Sequence, residues 1–310
     1  MRIIILFIIG LTLYNCAHHD TQPMVDNITV EELYEHVAFL ASDSLKGRKP
    51  GTPEGDLAAA YIRDQIKKSG LQLLGDNGFQ YFDVVTDVEP GPVNSLTIND
   101  FTAKINEDYI PLAFSKDTSA QAEVVFVDYG FDFDDDSVAW HSYKNLDVKG
   151  KYVLILRGDP DPERGNSVFE SYNSLRHKVL KAKDQGVLGL LFVSGKNIDP
   201  DDALIEMTVN DGRTSAGVQV IHIKRAVADK LLEKQNVTIE ALEKEINENR
   251  QPKSIQLNQV ISLSTQIIKK TARTQNVVGL LPGNDAFLKN EYIVIGAHYC
   301  LLYTSPSPRD

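Results

Sequence analysis

The chain has 310 residues, with 32 basic and 43 acidic side chains and a net charge of −11. A hydrophobic content of 42% and a charged content of 24% exclude wholesale disorder, and the length allows one large or two modest domains. The acid excess argues against a nucleic-acid partner, and two cysteines, Cys16 and Cys300, exclude a disulfide framework or a Cys-rich zinc finger.

At the N-terminus, Arg2 precedes an apolar run from Ile3 to Leu13 that is too short to span a bilayer but suits the core of a signal peptide. Cys16 follows directly, and residues 1–16 resemble a bacterial lipobox in which Cys16 would become the acylated N-terminus. Asn15 stands where a small residue is usual, and an ordinary signal peptide with an incidental cysteine is the other reading. Both readings predict export, either to a cell-envelope membrane through a lipid anchor or to the periplasm or exterior. Residues 17–27 are polar and read as a tether.

Thr29-Val-Glu-Glu32 is a capping box, with Leu33, Val37 and Leu40 at helical spacing behind it. Pro53 after Thr52 opens a second helix that Gly70 can stop, with Leu57, Ala60, Tyr61 and Ile66 as its apolar side. Strands are expected at Phe79–Val85 and around Leu96–Ile98. A segment with its own rhythm, 119–237, then carries apolar strands at Val124–Val127, Lys151–Arg157, Val187–Val193 and Val218–Ile223. Helices are expected at Leu175–Gln185 and Ala226–Lys234, with a further helix at Ile239–Ile246. Strands apolar along their whole length are buried on both faces, as in a small α/β sandwich. From Ile255 the pattern alternates, and Asn276–Pro282 and Tyr292–Gly296 read as strands that resume the first domain, leaving 119–237 inserted between 28–118 and 250–299.

Several motifs of chemistry are absent: Gly-x-Ser-x-Gly, His-Glu-x-x-His and Gly-x-Gly-x-x-Gly. Gly189–Lys196 has the wrong spacing for a phosphate loop and reads as a strand end. Asp132, Asp134 and Asp136 open like a calcium loop, but Ser137 and Tyr143 stand where Gly and Glu are needed, so a solvated acidic loop is expected. Asp159, Asp161 and Glu163 read the same way. His18, His19, His36, His141, His177 and His222 are solitary and read as structural.

His298 differs, because it follows Tyr292-Ile-Val-Ile-Gly296 and Ala297, placing it at the carboxyl end of an expected core strand, where open α/β sheets bind ligands. Here the chain resembles the co-catalytic zinc exopeptidases, the family of aminopeptidase Y and glutamate carboxypeptidase II, whose motif is an apolar strand followed by Gly-(Gly/Ala)-His-x-Asp. Leu45-Lys-Gly-Arg48, Gly51-Thr52, Ala59-Ala-Tyr-Ile62 and Gly70-Leu71 resemble that family's opening helices. Asn276-Val-Val-Gly-Leu-Leu-Pro-Gly283 resembles the strand before the metal-ligand strand, and Asp147–Arg157 resembles part of the protease-associated domain often inserted there.

The resemblance implies an α/β fold: a zinc-exopeptidase domain with a mixed sheet and helices, interrupted by a protease-associated sandwich. It also implies two Zn²⁺ ions with His298 as a ligand, a peptide substrate, and hydrolysis by a metal-activated water. Position 300 is Cys where the motif has Asp. Residues 300–310, Cys-Leu-Leu-Tyr-Thr-Ser-Pro-Ser-Pro-Arg-Asp, resemble translated adaptor sequence and read as a non-native tail, with a genuine disordered tail as the other reading; a thiolate at Cys300 could itself bind zinc. The other expected ligands and the acid/base Glu fall beyond the end. The expectation is therefore an N-terminal fragment of an exported zinc aminopeptidase, inactive as it stands. The alternative is a non-catalytic lipoprotein whose protease-associated module binds peptides or proteins. A metal-independent hydrolase is a third class, disfavoured by the missing nucleophile motif.

Overall fold

A computed structural model describes residues 28–135, 138–161, 167–209 and 215–300. Cys16, the leader, the tether and residues 301–310 lie outside them.

Two helices open the described chain. α1 (Val30–Leu40) starts at the expected capping box: Thr29 Oγ1 accepts from Glu32 N, and the Glu32 carboxylate accepts from Thr29 N. α2 (Pro53–Lys68) is capped by Thr52, with Pro53 in its first turn. Between them, Lys46, Gly47 and Arg48 all take positive φ, a left-handed turn that brings Gly51 against Ala272. α2 buries Ala58 and Ala59 and leaves Leu57 exposed, a rotation from the apolar side expected. Leu33 and Val37 of α1 keep their helical spacing but face outward.

The strands follow in order: β1 (Gln72–Leu73), β2 (Phe79–Pro90), β3 (Ser95–Ile98), β4 (Phe101–Ala103), β5 (Tyr109–Pro111), β6 (Thr118–Val127), β7 (Asp132–Asp134), β8 (Ala139–His141) and β9 (Tyr152–Leu156). After α3 (Leu175–Asp184) come β10 (Gly189–Val193) and β11 (Gln219–Ile223), then α4 (Arg225–Leu232) and α5 (Ile239–Asn249). The chain then enters β12 (Ser254–Thr265), β13 (Ile267–Val277) and β14 (Gly279–Leu280).

The architecture is mixed α/β. One eight-stranded sheet runs β4-β3-β12-β6-β9-β10-β11-β5, parallel from β6 through β11 and antiparallel at both flanks. Every residue of β9, β10 and β11 is buried, as their unbroken apolar runs require of strands covered on both faces. On one face Leu154, Leu191 and Ile221 pack with α4, α5 and an aromatic group of Phe131, Trp140 and Phe169. On the other, Val153, Leu190 and Val220 pack with Val179 and Ala182 of α3.

The sheet recruits strands from both sides of 119–237. β12, expected to resume the first domain, pairs on one edge with β3 of 28–118 and on the other with β6. Its alternating burial reports one covered face and says nothing about which strand pairs beside it. β13 continues almost without a break and pairs with β2 in a long antiparallel ribbon leading to α2. The second difference concerns Tyr292–Gly296, the expected core strand. It forms no strand, and Ile293, Val294 and Ile295 are 94, 89 and 94% exposed. β-formers need a neighbouring strand to satisfy their backbone, and among the described residues none lies beside this segment.

Candidate functional site

His298 sits exposed in this extended segment. The residue after it is fixed from two directions: Arg48 Nε donates to the Tyr299 carbonyl at 2.8 Å, and the Tyr299 hydroxyl donates to the Gln275 carbonyl at 2.6 Å. Cys300 Sγ lies 3.9 Å from the Gly47 carbonyl, and burial pushes its thiol up against a smaller opposing pull from Arg48. Thus the Leu45–Arg48 turn, the end of β13 and the His298 segment, far apart in sequence, converge on Tyr299.

This convergence does not make a zinc centre. Among the described residues no group of three or more His, Cys, Asp or Glu side chains could hold a metal. A protein zinc site takes at least three such donors. One exposed imidazole does not fit the pair of ions that the resemblance implies, and no chemical step is derived through them.

The carboxyl ends of the parallel strands hold a second concentration of polar groups. Asp128, just beyond β6, is fully buried. It accepts from Tyr129 N, Trp140 Nε1 at 3.1 Å and Ser142 Oγ, while burial raises its carboxyl. Lys178 of α3 is also fully buried. Its ammonium donates to the carbonyls of Leu156, at 3.1 Å, and Gly158, and lies 4.5 Å from the centre of the Phe131 ring. Burial lowers it to about 7 against the opposing pull of Asp128 and Asp159. Asp159 corrects its expected place in a solvated acidic run: it is 9% exposed and accepts from Asp161 N and Asn173 Nδ2. Asp161 pairs with Arg250.

Ser194, after β10, and His222 of β11 form a buried pair 3.0 Å apart. A nucleophile–base dyad requires the imidazole nitrogen facing the hydroxyl to be unprotonated. Ile205 N donates to His222 Nδ1, so the ring proton belongs on Nε2, facing Ser194. Ser194 Oγ also accepts from Arg157 Nη1 at 2.8 Å. Desolvation, aided by Arg157 and Lys224, lowers His222 to about 3. The pair closes the sheet end and cannot act as a hydrolytic dyad. Beside it, Glu243 of α5 accepts from Lys196 N, and a Cβ at Gly195 would overlap its carboxylate. The Gly189–Lys196 run is therefore a strand end, as expected.

The remaining described histidines have structural partners, and His18 and His19 lie outside the described residues. His141 lies between Asp132, 2.9 Å from Nδ1, and Asp134, 3.2 Å from Nε2, in the β7–β8 hairpin. Its ring is raised first by the Asp132 hydrogen bond. His36 Nδ1 meets the Tyr61 hydroxyl at 2.6 Å, and His177 packs edge-on to Tyr172. Asp134 stays exposed, while Asp136 and Glu163 lie outside the described residues.

Sequence reading missed Lys178, Asp128 and the Ser194–His222 pair. Position at the carboxyl ends of parallel strands was the one available signal for Asp128 and Ser194. Lys178, among Lys181 and Lys183 on a charged helix, offered none.

No protein-family profile matches the chain, and no curated protein does. Among solved structures the chain is similar to an aminopeptidase from Aneurinibacillus sp. strain AM-1, at 20% identity and a TM-score of 0.42, over 83% of this chain and 49% of that one. It is also similar to a zinc aminopeptidase from Bacillus subtilis, at 16% identity and a TM-score of 0.35, over 82% of this chain and 48% of the other. The chain thus spans about half the length of these structures.

Proposed function

We propose that the chain is part of an exported, zinc-dependent aminopeptidase-type exopeptidase acting on peptides. In this reading His298 contributes one ligand to a metal centre whose other donors are outside the described residues. The observation that carries the reading is the meeting at Tyr299. The Lys-Gly-Arg turn, singled out for its resemblance to that family, and Gln275, the residue just before the Asn276–Gly283 stretch singled out with it, both bond the residue next to His298. Residues 119–237 would serve as a protease-associated module within the eight-stranded sheet, and Cys16 as a lipid anchor.

Because one imidazole cannot retain the ions, the 310-residue chain is proposed to be inactive. Purified protein supplied with zinc is expected to release no product from aminoacyl-nitroanilides. Turnover that co-purifies with it and resists chelators would overturn the metal assignment. Amplifying the source locus through codon 299 tests the family reading: Asp is expected at position 300, with a Glu-Glu pair downstream. An in-frame stop there in independent clones would refute it. The self-contained core of the eight-stranded sheet favours a second reading, a non-catalytic module that binds peptides or proteins.

A further inference from the structure

β7 and β8 form a two-stranded hairpin outside the eight-stranded sheet. Its register sets Asp132 opposite His141, Phe133 opposite Trp140 and Asp134 opposite Ala139. Side chains alternate across a strand, and Phe133 and Trp140 turn inward onto Phe131 and Phe169. Asp132, Asp134 and His141 share the outer face, with His141 directly across from one carboxylate and diagonal to the other.

Both ring nitrogens are engaged there: Nδ1 lies 2.9 Å from Asp132 Oδ1, and Nε2 lies 3.2 Å from Asp134 Oδ1. A neutral imidazole has one N–H, and an ionised carboxylate only accepts. A neutral ring would therefore turn a bare lone pair toward one of the two carboxylates, whereas the imidazolium donates to both. The Asp132 hydrogen bond leads in raising the ring above its ordinary 6.5, and the charges of Asp134 and Asp132 add to it. The hollow beside the ring is completed by Tyr143, Lys144 and Gln185. Burial pushes the Tyr143 hydroxyl up, so it stays neutral. Gln185, just after α3, carries no charge, and the Lys144 ammonium has the sign of the imidazolium. None of the three competes with the aspartates for the protonated ring.

A two-stranded hairpin of three-residue strands is marginal by itself. Its inner side nonetheless carries a buried network. Trp140 Nε1 donates to the Asp128 carboxylate at 3.1 Å, Ser142 Oγ donates to the same oxygen, and Ser254 Oγ of β12 donates to the Ser142 carbonyl at 2.7 Å. We propose that His141 is a proton-operated clasp for this hairpin. Protonated, it ties both carboxylates of β7 to β8 and holds Trp140 on Asp128; without its proton, β8 loosens from β7 and the Trp140 bond opens more often. Because the folded pKa is raised, the clasp contributes in full below 6.5 and is lost as pH rises through the folded value.

Exchange of the indole N–H of Trp140, the single tryptophan, tests the clasp in the full chain. It is followed by NMR from about pH 5.5 to about pH 8.5 and expressed relative to free tryptophan at each pH. Two exposed ion pairs that share one cation correspond to about a three- to tenfold change. A fall in protection of that size is expected, with the midpoint of the His141 ring titration; constant protection would overturn the proposal. In His141→Gln, protection is expected to stay flat at the wild-type alkaline level. A fall that survives in this variant would belong to Lys178, which is lowered to about 7 and also contacts Phe131. Flat protection at the wild-type acid level would show that the imidazolium closes nothing. Either result refutes the clasp. Asp134→Asn preserves the side-chain shape and is expected to move the midpoint to lower pH by removing one of the two negative charges; an unmoved midpoint would refute the two-sided geometry.

Discussion

Replacing Lys178 by methionine isolates the cost of a buried ammonium. In the folded chain burial lowers this amine from 10.5 to about 7, while in the unfolded chain it returns to its ordinary value. A base whose folded pKa is depressed destabilises the fold fully below that pKa, and the penalty fades as pH rises toward the unfolded value. At 1.36 kcal/mol per unit, the gap of about 3.5 units corresponds to about 5 kcal/mol at and below neutrality. Between pH 7 and pH 9.5 the wild-type chain is therefore expected to gain about 3 kcal/mol from this group. Methionine keeps the stem but loses the bonds to the Leu156 and Gly158 carbonyls, a loss of about 1–3 kcal/mol for each stranded acceptor. The variant is thus expected to be close to wild type in stability at pH 7 and about 3 kcal/mol weaker at pH 9.5. Urea unfolding followed by the single, buried Trp140 measures both curves. Parallel stability–pH profiles for the two proteins would show that the ammonium does not carry the penalty, and would refute the reasoning.

Other substitutions probe separate parts of the structure. Gly195→Ala drives a methyl into the Glu243 carboxylate and is expected to lower stability by about 1–3 kcal/mol in the same urea assay; an unchanged midpoint would mean that the loop yields freely. Thr29→Ala removes one half of the α1 capping box and should cost about 1 kcal/mol of local helix stability, read as faster amide exchange across Val30–Leu33. The His141 ring should titrate above 6.5 by NMR and fall back toward that value in Asp132→Asn. Because its folded pKa is raised, its contribution is present in full below the unfolded pKa and is lost as pH rises through the folded one. Arg48→Ala is expected to raise amide exchange at Tyr299 and Cys300 while leaving β9–β11 protected; unchanged exchange there would show that Tyr299 is held without it.

The helices were readable because their signals are local. The Thr29–Glu32 box, Thr52-Pro53 and the apolar runs of β9, β10 and β11 each name an element within a few residues. The neighbour of β12 was not readable, since alternation marks a covered face and pairing joins residues more than a hundred positions apart, such as Ser254 with Val127. The same limit hid the buried charges. Asp128 gains its partners from Trp140, Ser142 and Ser254, and Lys178 reaches carbonyls after β9, contacts that exist only once the sheet has closed. For His298 the local pattern of a strand was correct in composition, but a strand is a property of pairs, and the described residues supply no second member.

β12 and β13 run almost end to end, from the middle of the eight-stranded sheet into the ribbon beneath α2, with the joint at Gln266 clasped by Asn94. Tension applied at the helical end would therefore load the β12 ladder lengthwise, straining its rungs together instead of peeling them one by one. Mechanically, the helices are mounted on a stiff lever whose root is embedded between β3 and β6.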